Sequence, residues 1–142
     1  MKKNIFYIII IFSLSTTLYS CGPGPDNDDP QPIGDAREKF VEQWTCSEQS
    51  KLNGASSFTV TISLNSSNST QIYLTNFYQL GGSQKVYGIV TDNSVTLANQ
   101  TVNGILVKSG NGTITSNNNQ INWNYRMDDG ADIDTCTAVF TK

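Results

Sequence analysis

The feature that most constrains the fold of this chain is a strict alternation of apolar and polar residues. Residues 58–64 read FTVTISL, so that apolar side chains are separated by Thr or Ser. Side chains two residues apart share one face of a strand, whereas those on one face of a helix recur every three to four residues. The alternation therefore predicts a β-strand with one buried face and one solvated face.

Segments of the same kind follow along the rest of the chain, and short turn sequences separate them. The predicted strand segments are 72–74, 86–90, 95–97, 105–107, 114, 121–125 and 136–140. The predicted turns, rich in Asn, Asp and Gly, are 65–69, 81–82, 92–93, 110–112, 117–119 and 129–130. Eight or nine strands at a spacing of roughly 8–12 residues are typical of all-β barrels and sandwiches. Short turns throughout favour an antiparallel up-and-down meander closed into a barrel, with a β-sandwich as the alternative.

A short helix is predicted before the first strand. Asp35 can cap this helix, and Glu38, three residues later, can reach back to the cap as in a capping box. Phe40, Val41 and Trp44 recur at helical spacing and would dock the helix on the core.

The first 20 residues have the parts of a bacterial export signal. Lys2 and Lys3 are positively charged, residues 5–12 are apolar throughout, and the small residue Ser20 precedes Cys21. The sequence LYSC that ends at this cysteine resembles the lipobox of bacterial lipoproteins, in which the signal is cut before the cysteine and the cysteine carries acyl chains. The resemblance implies a signal peptide over residues 1–20, lipidation of Cys21, and anchoring in the bacterial cell envelope at the outer membrane.

The lipobox interpretation has two alternatives. An ordinary signal peptide would leave Cys21 as a free or disulfide-bonded thiol. A membrane-spanning helix is disfavoured because a bilayer takes roughly 20 apolar residues, whereas Ser and Thr interrupt the apolar run after Phe12. The total of three cysteines also favours lipidation, because an exported chain that pairs two of them leaves one over.

Residues 21–34 form the link between the anchor and the folded domain. From residue 22 they read GPGPDNDDPQPIG and contain all four prolines of the chain. Because this segment has almost no apolar surface to bury, it cannot offset the entropy lost on ordering, and an extended tether is predicted. Its acidic residues give a second interpretation, a signal for surface display. Residues 35–142 are then one domain, which is long enough to have its own core.

The charge of the chain argues against several classes of partner. The net charge is −3, and removal of a signal that contains Lys2 and Lys3 changes it by two, to −5. No run of basic residues is present, so nucleic acid is not a predicted partner. Charged residues make up 15% of the chain, against roughly 25% in typical domains, and Asn, Ser and Thr are abundant in their place.

Cys46 and Cys136 are predicted to form a disulfide. They fall on the first and last predicted strands, which are neighbours in a closed meander, and an exported protein meets an oxidising environment. The bond would close a loop of about 90 residues and stabilise the fold by roughly 4–5 kcal/mol in the chain-entropy model. Two free thiols are the alternative.

Several segments of the domain resemble the small lipocalin-like lipoproteins of Gram-negative bacteria. They are DAREKFV at 35–41, WTC at 44–46, TNF at 75–77, VTLANQTV at 95–102 and CTAVFT at 136–141. The resemblance implies a lipocalin-like barrel over residues 35–142 and a lipid anchor, without implying a chemistry. Lipocalins carry a glycine where this chain has Glu42, and they often pack an arginine from near the chain end over the tryptophan, where this chain ends in Lys142.

The composition argues against catalysis. The chain has no histidine, which removes Ser-His-Asp and Cys-His catalysis and every histidine-ligated metal site. A cluster of carboxylates at Asp128, Asp129, Asp132 and Asp134 offers oxygen ligands for calcium or an acid pair for a glycosidase. Asp129 followed by a glycine is itself a hairpin-turn signal, which favours a structural role. No enzyme activity, metal or cofactor is predicted.

Four aromatic residues are candidates for lining a ligand cavity: Trp44, Trp123, Tyr125 and Tyr87. An eight-stranded barrel is either filled by its own side chains or holds one small ligand. The favoured hypothesis is a non-catalytic module that binds a small apolar molecule or a glycan in the barrel mouth. The alternative is a filled barrel that acts as a structural or interaction protein, by binding another envelope protein or by inhibiting a hydrolase.

Overall fold

The structure is a computed structural model that describes residues 34–142. The predicted signal peptide, Cys21 and the tether up to residue 33 lie outside the described residues. The described chain forms nine strands and two short 3-10 turns. The strands are β1 (Glu42–Ser50), β2 (Gly54–Leu64), β3 (Gln71–Thr75), β4 (Lys85–Thr91), β5 (Ser94–Leu97), β6 (Gln100–Val102), β7 (Ile105–Ile114), β8 (Gln120–Asp128) and β9 (Ile133–Thr141), and the 3-10 turns are Glu38–Phe40 and Phe77–Gln79.

Neighbouring strands are antiparallel, and the sheet closes on itself. The strand order is β5-β4-β3-β2-β1-β9-β8-β7-β6, and β5 pairs in addition with β7. Eight strands thus form a closed barrel, and β6 is an extra strand that pairs with β7. The predicted all-β meander barrel is confirmed, and the chain does not form the alternative sandwich. Every strand of the ring has two neighbours, but β3 pairs only with Thr61–Leu64 of β2, so residues 54–60 of β2 pair with β1 alone.

Alternation along the strands fills the interior with apolar side chains. In β8, Ile121, Trp123, Tyr125 and Met127 are buried, whereas the residues between them are exposed. The largest fully buried side chains of the described chain are Trp44, Trp123, Phe40, Phe77, Phe140, Ile62, Ile72, Leu74, Leu97, Ile121, Met127 and Val60. Complete burial of each large apolar side chain contributes roughly 1.5–3 kcal/mol, so this single core is the main source of stability.

The predicted N-terminal helix is a single 3-10 turn, Glu38–Phe40, without a side-chain cap. β1 begins at Glu42, so Trp44 projects into the barrel from a strand and not from a helix. Phe40 is buried as predicted, but Val41 is exposed. The helical spacing was misleading because Phe40 and Trp44 both reach inwards across an extended segment. Within residues 34–142, no helix has the length and apolar character needed to cross a bilayer.

The predicted turn at residues 110–112 is wrong, because β7 runs without interruption from Ile105 to Ile114. Gly110 and Gly112 face the aromatic side chains of β8. A Cβ atom at Gly112 would lie 2.6 Å from the ring of Trp123, and one at Gly110 would lie 3.0 Å from Cβ of Tyr125. Gly112 therefore makes room for the ring of Trp123, and Gly110 makes room for Leu97 and Tyr125, without turning the chain.

The predicted disulfide is not formed in this structure, in which Cys46 and Cys136 are buried free thiols. They lie on adjacent strands, β1 and β9, as the meander requires. The register, however, places Cys46 opposite Phe140 and Cys136 opposite Ser50. This offset of four residues corresponds to about 13 Å along the strands, whereas a disulfide needs Cα atoms within about 7 Å. Burial raises the pKa of Cys46 to about 12, as expected for an unreactive thiol.

Candidate functional site

The structure places three of the four candidate lining residues in a filled interior. Trp44, Trp123 and Tyr125 are each at most 3% exposed and belong to one apolar core. Tyr87 faces outwards on β4, because the residues on either side of it occupy the inward positions. The four residues therefore do not line a common cavity, and the predicted site is corrected in this respect.

The space between the interior aromatic rings is occupied by Phe77 of the β3–β4 loop (residues 76–84). Its ring centroid lies 4.5 Å from that of Tyr125, 5.6 Å from that of Trp123 and 6.4 Å from that of Phe140. These separations lie within or near the range of favourable edge-to-face and tilted ring pairs. The indole Nε1 of Trp123 is buried and has no hydrogen-bond partner among the described residues.

The β3–β4 loop holds Phe77 in place at the cost of unusual backbone geometry. Asn76, Tyr78 and Gln79 have φ angles of 63°, 52° and 55°, in the left-handed region that costs non-glycine residues roughly 1–3 kcal/mol each. Asn76 Nδ2 donates to the carbonyl of Thr59 at 2.8 Å. Burial of Phe77 and this hydrogen bond of Asn76 stabilise a loop conformation that its backbone alone would disfavour.

The barrel end that carries Glu38–Phe40, here called the N-terminal end, is closed by contacts around Trp44. The indole Nε1 of Trp44 donates to the carbonyl of Phe40 at 2.8 Å. Nζ of Lys142 lies 4.9 Å from the centroid of the Trp44 ring, a cation–π contact.

Arg37 joins the N-terminal segment to the β2–β3 turn. Its Nη1 donates to the carbonyls of Asn65, Asn68 and Gln71 at 2.9–3.1 Å, and its Nε donates to the carboxylate of Asp35. Five donors in a planar fork suit this multiple contact. Arg37 is therefore a structural residue of the N-terminal end.

The opposite barrel end, here called the acidic end, contains a buried and fully hydrogen-bonded carboxylate, Asp134. It accepts hydrogen bonds from Ser50 Oγ at 2.5 Å, from Tyr78 Oη at 2.8 Å, and from the backbone N–H groups of Lys51 and Leu52 at 3.1 and 3.2 Å. Burial opposes ionisation, but these donors outweigh it and lower the pKa of Asp134 to about 2. Asp134 therefore binds the β1–β2 turn and the β3–β4 loop together as an anion.

Glu48 is a second interior carboxylate, and its surroundings have the opposite effect. It is 5% exposed, accepts a hydrogen bond from the hydroxyl of Tyr125, and has Ser56 Oγ at 3.4 Å. Burial raises the pKa of Glu48 above its ordinary value, because the two hydroxyls only partly compensate for lost hydration. Burial and the Glu48 carboxylate together raise the pKa of Tyr125.

A cavity of about 60 Å³ lies at the acidic end, and Asp129, Asp132 and Asp134 contribute to its lining. It has room for a few water molecules and is far smaller than the roughly 300–1,000 Å³ of small-molecule sites. The carboxylate of Asp129 accepts the backbone N–H groups of Ala131 and Asp132, both at 2.9 Å, as a turn residue does. Within residues 34–142 no group of three or more Asp, Glu or Cys side chains is arranged to hold a metal ion.

The outer face of β2, β1, β9 and β8, here called the outer wall, differs sharply from the interior. Its outward side chains are Ala55, Ser57, Thr59, Thr61 and Ser63 of β2, Gln43, Thr45, Ser47 and Gln49 of β1, Ile133, Thr135, Thr137, Val139 and Thr141 of β9, and Gln120, Asn122, Asn124, Arg126 and Asp128 of β8. Arg126 and, at the end of its strand, Asp128 are the charged residues of this set. The other carboxylates of these four strands are Glu42 at a strand end and Glu48 and Asp134 inside.

An open groove of about 800 Å³, here called the outer groove, runs across this wall. Its outward side chains form two rows of four, one from each strand. One row is Ser57, Ser47, Val139 and Asn122, and the other is Ala55, Gln49, Thr137 and Asn124. Neighbours in a row stand about 4.8 Å apart, and the two rows lie about 7 Å apart along the strands. The groove is therefore a regular array of eight uncharged side chains, of which six are polar and two, Ala55 and Val139, are apolar.

Sequence reasoning missed the outer groove and both interior carboxylate clusters. The sequence groups Asp134 with Asp128, Asp129 and Asp132, but of these four only Asp134 lies inside the barrel. Asp128 forms an ion pair with Lys108 at 3.0 Å. The period-two pattern of β9 contained the signal, because Asp134 is in phase with buried residues of that strand. The groove left no comparable signal, because its rows exist only once the strand register is known.

Comparison with known proteins supports the fold and leaves the function open. No protein-family model matches this sequence, and no curated protein is similar to it. A solved structure described as a redesigned beta barrel, b11L5F_LGL, has a TM-score of 0.57 and 11% identity, over 79% of this chain and 98% of that one. Another, EF1p2_mFAP2b bound to DFHBI, has a TM-score of 0.51 and 14% identity, over 75% and 98%. At these identities the likeness shows a shared barrel fold alone.

Proposed function

We propose that this protein is a lipid-anchored, non-catalytic binding module of the bacterial cell envelope that contacts another envelope component with the outside of its barrel. The carrying observation is the contrast between a filled interior and an open outer groove. Phe77 fills the space between the interior rings, and the interior cavity at the acidic end measures about 60 Å³, whereas the outer groove measures about 800 Å³. The outer groove is open to solvent, so a ligand reaches it without displacing Phe77.

The proposed kinship with lipocalin-like lipoproteins rests on the shape of the described domain. Its eight-stranded antiparallel meander barrel suits that family, whereas Glu42 and Lys142 depart from the family's glycine and arginine. The proposed absence of catalysis rests on a chain without histidine and on carboxylates that serve turns and the barrel interior.

Anchoring through Cys21 is tested by replacing it. Cys21→Ser should move the protein from the membrane fraction to the soluble fraction, because the acyl chains supply the attachment and each buried CH₂ contributes roughly 0.8 kcal/mol. Fractionation followed by immunoblotting measures the change. A variant that still sediments with membranes contradicts the lipid anchor.

Binding through the outer wall is tested by photo-cross-linking in intact cells. A photoreactive amino acid is placed at Thr137 in the outer groove or, as a matched control, at Thr96 on β5. Both are exposed threonines on outer strand faces. We expect an adduct from position 137 and none from position 96. No adduct from position 137, or equal adducts from both, contradicts the proposal.

A second candidate function is binding of a small apolar aromatic molecule inside the barrel, in exchange for Phe77. The unpaired Nε1 of Trp123 beside the Phe77 ring favours it, because a buried donor without a partner is uncommon. The probe is indole, titrated while the two tryptophan N–H signals are followed by NMR. Movement of the Trp123 signal with an unchanged Trp44 signal supports this candidate. If both signals are unchanged at millimolar indole, binding of small apolar aromatic molecules inside the barrel is excluded.

A further inference from the structure

We infer that the outer groove is a binding site for a neutral glycan chain that lies across β2, β1, β9 and β8. This inference rests on the proposed function and names the ligand class for the outer groove.

The polar groups of the outer groove can both donate and accept hydrogen bonds. Hydroxyls of Ser47, Ser57 and Thr137 carry one donor and two acceptor positions each, and the amides of Gln49 and Asn124 carry both kinds of group. A sugar hydroxyl also donates and accepts. A carboxylate can only accept and an ammonium can only donate, so this lining matches a ligand whose own groups are dual in character.

The charge of the lining selects against ionic ligands. Glu48 is the one charged residue of the lining, and its carboxylate points into the barrel towards Tyr125, so none of the outward side chains that line the groove is charged. An anionic polymer, a nucleic acid or a lipid phosphate would gain no cation in the groove to offset its lost hydration. The chain as a whole carries a net negative charge, which disfavours such ligands further. The complementary ligand is uncharged.

The spacing of the lining suits an extended polymer. The two rows, each with one residue per strand, repeat hydrogen-bonding groups at about 4.8 Å along the row. A chain lying between the rows meets groups on both sides along its length. Each neutral hydrogen bond contributes only about 0.5–1.5 kcal/mol net, so several sugar units must bind together before the affinity is measurable.

A protein partner fits the same groove less well. The cores of protein interfaces are enriched in aromatic residues and methionine, whereas the groove offers only Ala55 and Val139 as outward apolar side chains. An extended peptide binds most readily by adding a strand to a sheet edge, and the nearest such edge is that of residues 54–60 of β2, which pair with β1 alone. A peptide on that edge is therefore the alternative occupant, which the cross-linking experiment detects, whereas the groove itself lacks the apolar contacts of a protein interface.

The test measures binding of chitohexaose and cellohexaose, two neutral hexasaccharides, by isothermal titration calorimetry to the purified protein. The hyaluronan hexasaccharide serves as an anionic control of equal length, and chitobiose serves as a short control. We expect at least one neutral hexasaccharide to bind, at least tenfold more tightly than either control. Failure of both neutral hexasaccharides to bind, or equal binding of the anionic control, overturns the inference.

Two variants locate the site. Thr137→Arg places a long charged side chain in the outer groove, and Thr96→Arg makes the same change on the far side of the barrel. We expect Thr137→Arg to weaken hexasaccharide binding at least tenfold and Thr96→Arg to leave it within twofold. Equal effects of the two variants overturn the inference.

The outcome separates this inference from the proposed function. Should position 137 form cross-links to an envelope protein in cells while neither neutral hexasaccharide binds, the glycan inference falls and the outer-wall function stands. Should neither cross-links nor glycan binding occur, both fall. Unfolding midpoints of both variants, measured alongside, show whether a loss of binding reflects loss of the fold.

Discussion

The interior and the outer wall of this barrel belong to the same four strands, yet they differ in chemistry. The interior is tightly filled with aromatic rings and contains two carboxylates, Glu48 and Asp134. The outer wall is made mostly of short hydroxyl and amide side chains, and its charges are Arg126 and, at a strand end, Asp128. Period-two alternation separates the two sets, because adjacent residues of a strand point to opposite faces. Stability therefore depends on the interior, and the side chains of the outer wall are available to bind a ligand.

The largest effect is expected where an aromatic ring is removed from the interior. Phe77→Ala should lower the free energy of unfolding by about 3–5 kcal/mol, because it leaves a cavity between Trp123 and Tyr125. Tyr87→Ala, on the outer face of β4, is the control and should cost no more than about 1 kcal/mol. Urea denaturation measures both. A cost below 1 kcal/mol for Phe77→Ala would mean that the ring does not fill the core.

A smaller loss is expected when a methyl group is added inside the barrel. The added Cβ of Gly112→Ala would lie 2.6 Å from Trp123, and such overpacking costs about 1–3 kcal/mol. Gly82→Ala is the matched control, because an added Cβ there meets no atom within 4 Å. The difference in thermal unfolding midpoint between the two variants is the measurement. Equal midpoints would contradict the close approach of β7 and Trp123.

The two interior carboxylates should respond to pH in opposite directions. The pKa of Asp134 is lowered to about 2 in the folded state, so its ionised form stabilises the fold at neutral pH and that contribution is lost as the pH falls through 2. Asp134→Asn should therefore lower stability by about 2 kcal/mol at pH 7, and the difference from the parent protein should shrink below pH 4. Urea denaturation across this pH range measures it. A pH-independent difference would contradict the account.

Glu48 is expected to show the smaller and opposite effect. Its pKa is raised by burial, so its protonated form favours folding below the ordinary carboxyl pKa, and that contribution is lost as the pH rises through the folded-state pKa. The stability of Glu48→Gln relative to the parent protein should therefore be higher at pH 8 than at pH 4. Thermal unfolding at the two pH values checks this. A variant that is destabilised more at pH 8 than at pH 4 would show that ionised Glu48 contributes favourably.

The sequence predicted the barrel because most inward positions are apolar and alternate regularly, as in residues 58–64. It predicted a helix that includes Trp44, where β1 begins, because the later inward residues of β1 are the polar Glu48 and Ser50, which hide the alternation. Residues 110–112 were misread because glycines that make room for rings look the same in sequence as glycines that turn the chain. The hairpin at Asn103 and Gly104, where both φ angles are positive, carried a readable turn signal that was overlooked.

The candidate site was less predictable than the fold for a physical reason. An aromatic residue attracts attention as a binding residue, yet Trp44, Trp123 and Tyr125 are core. The residues of the outer groove are common serines, threonines and amides whose meaning depends on cross-strand register. Register follows from the closure of the whole barrel, and a single sequence does not display it.

The most direct test of the central claim, that this barrel binds with its outside, is a titration of the ¹⁵N-labelled protein with chitohexaose followed by NMR. If the ligand binds in the outer groove, we expect shifts of the amide signals of Ser47, Thr137 and Asn124, while the indole N–H signals of Trp44 and Trp123 stay unchanged. A shift of the Trp123 indole signal without movement of the outer groove signals would contradict it, because the ligand would then enter the interior.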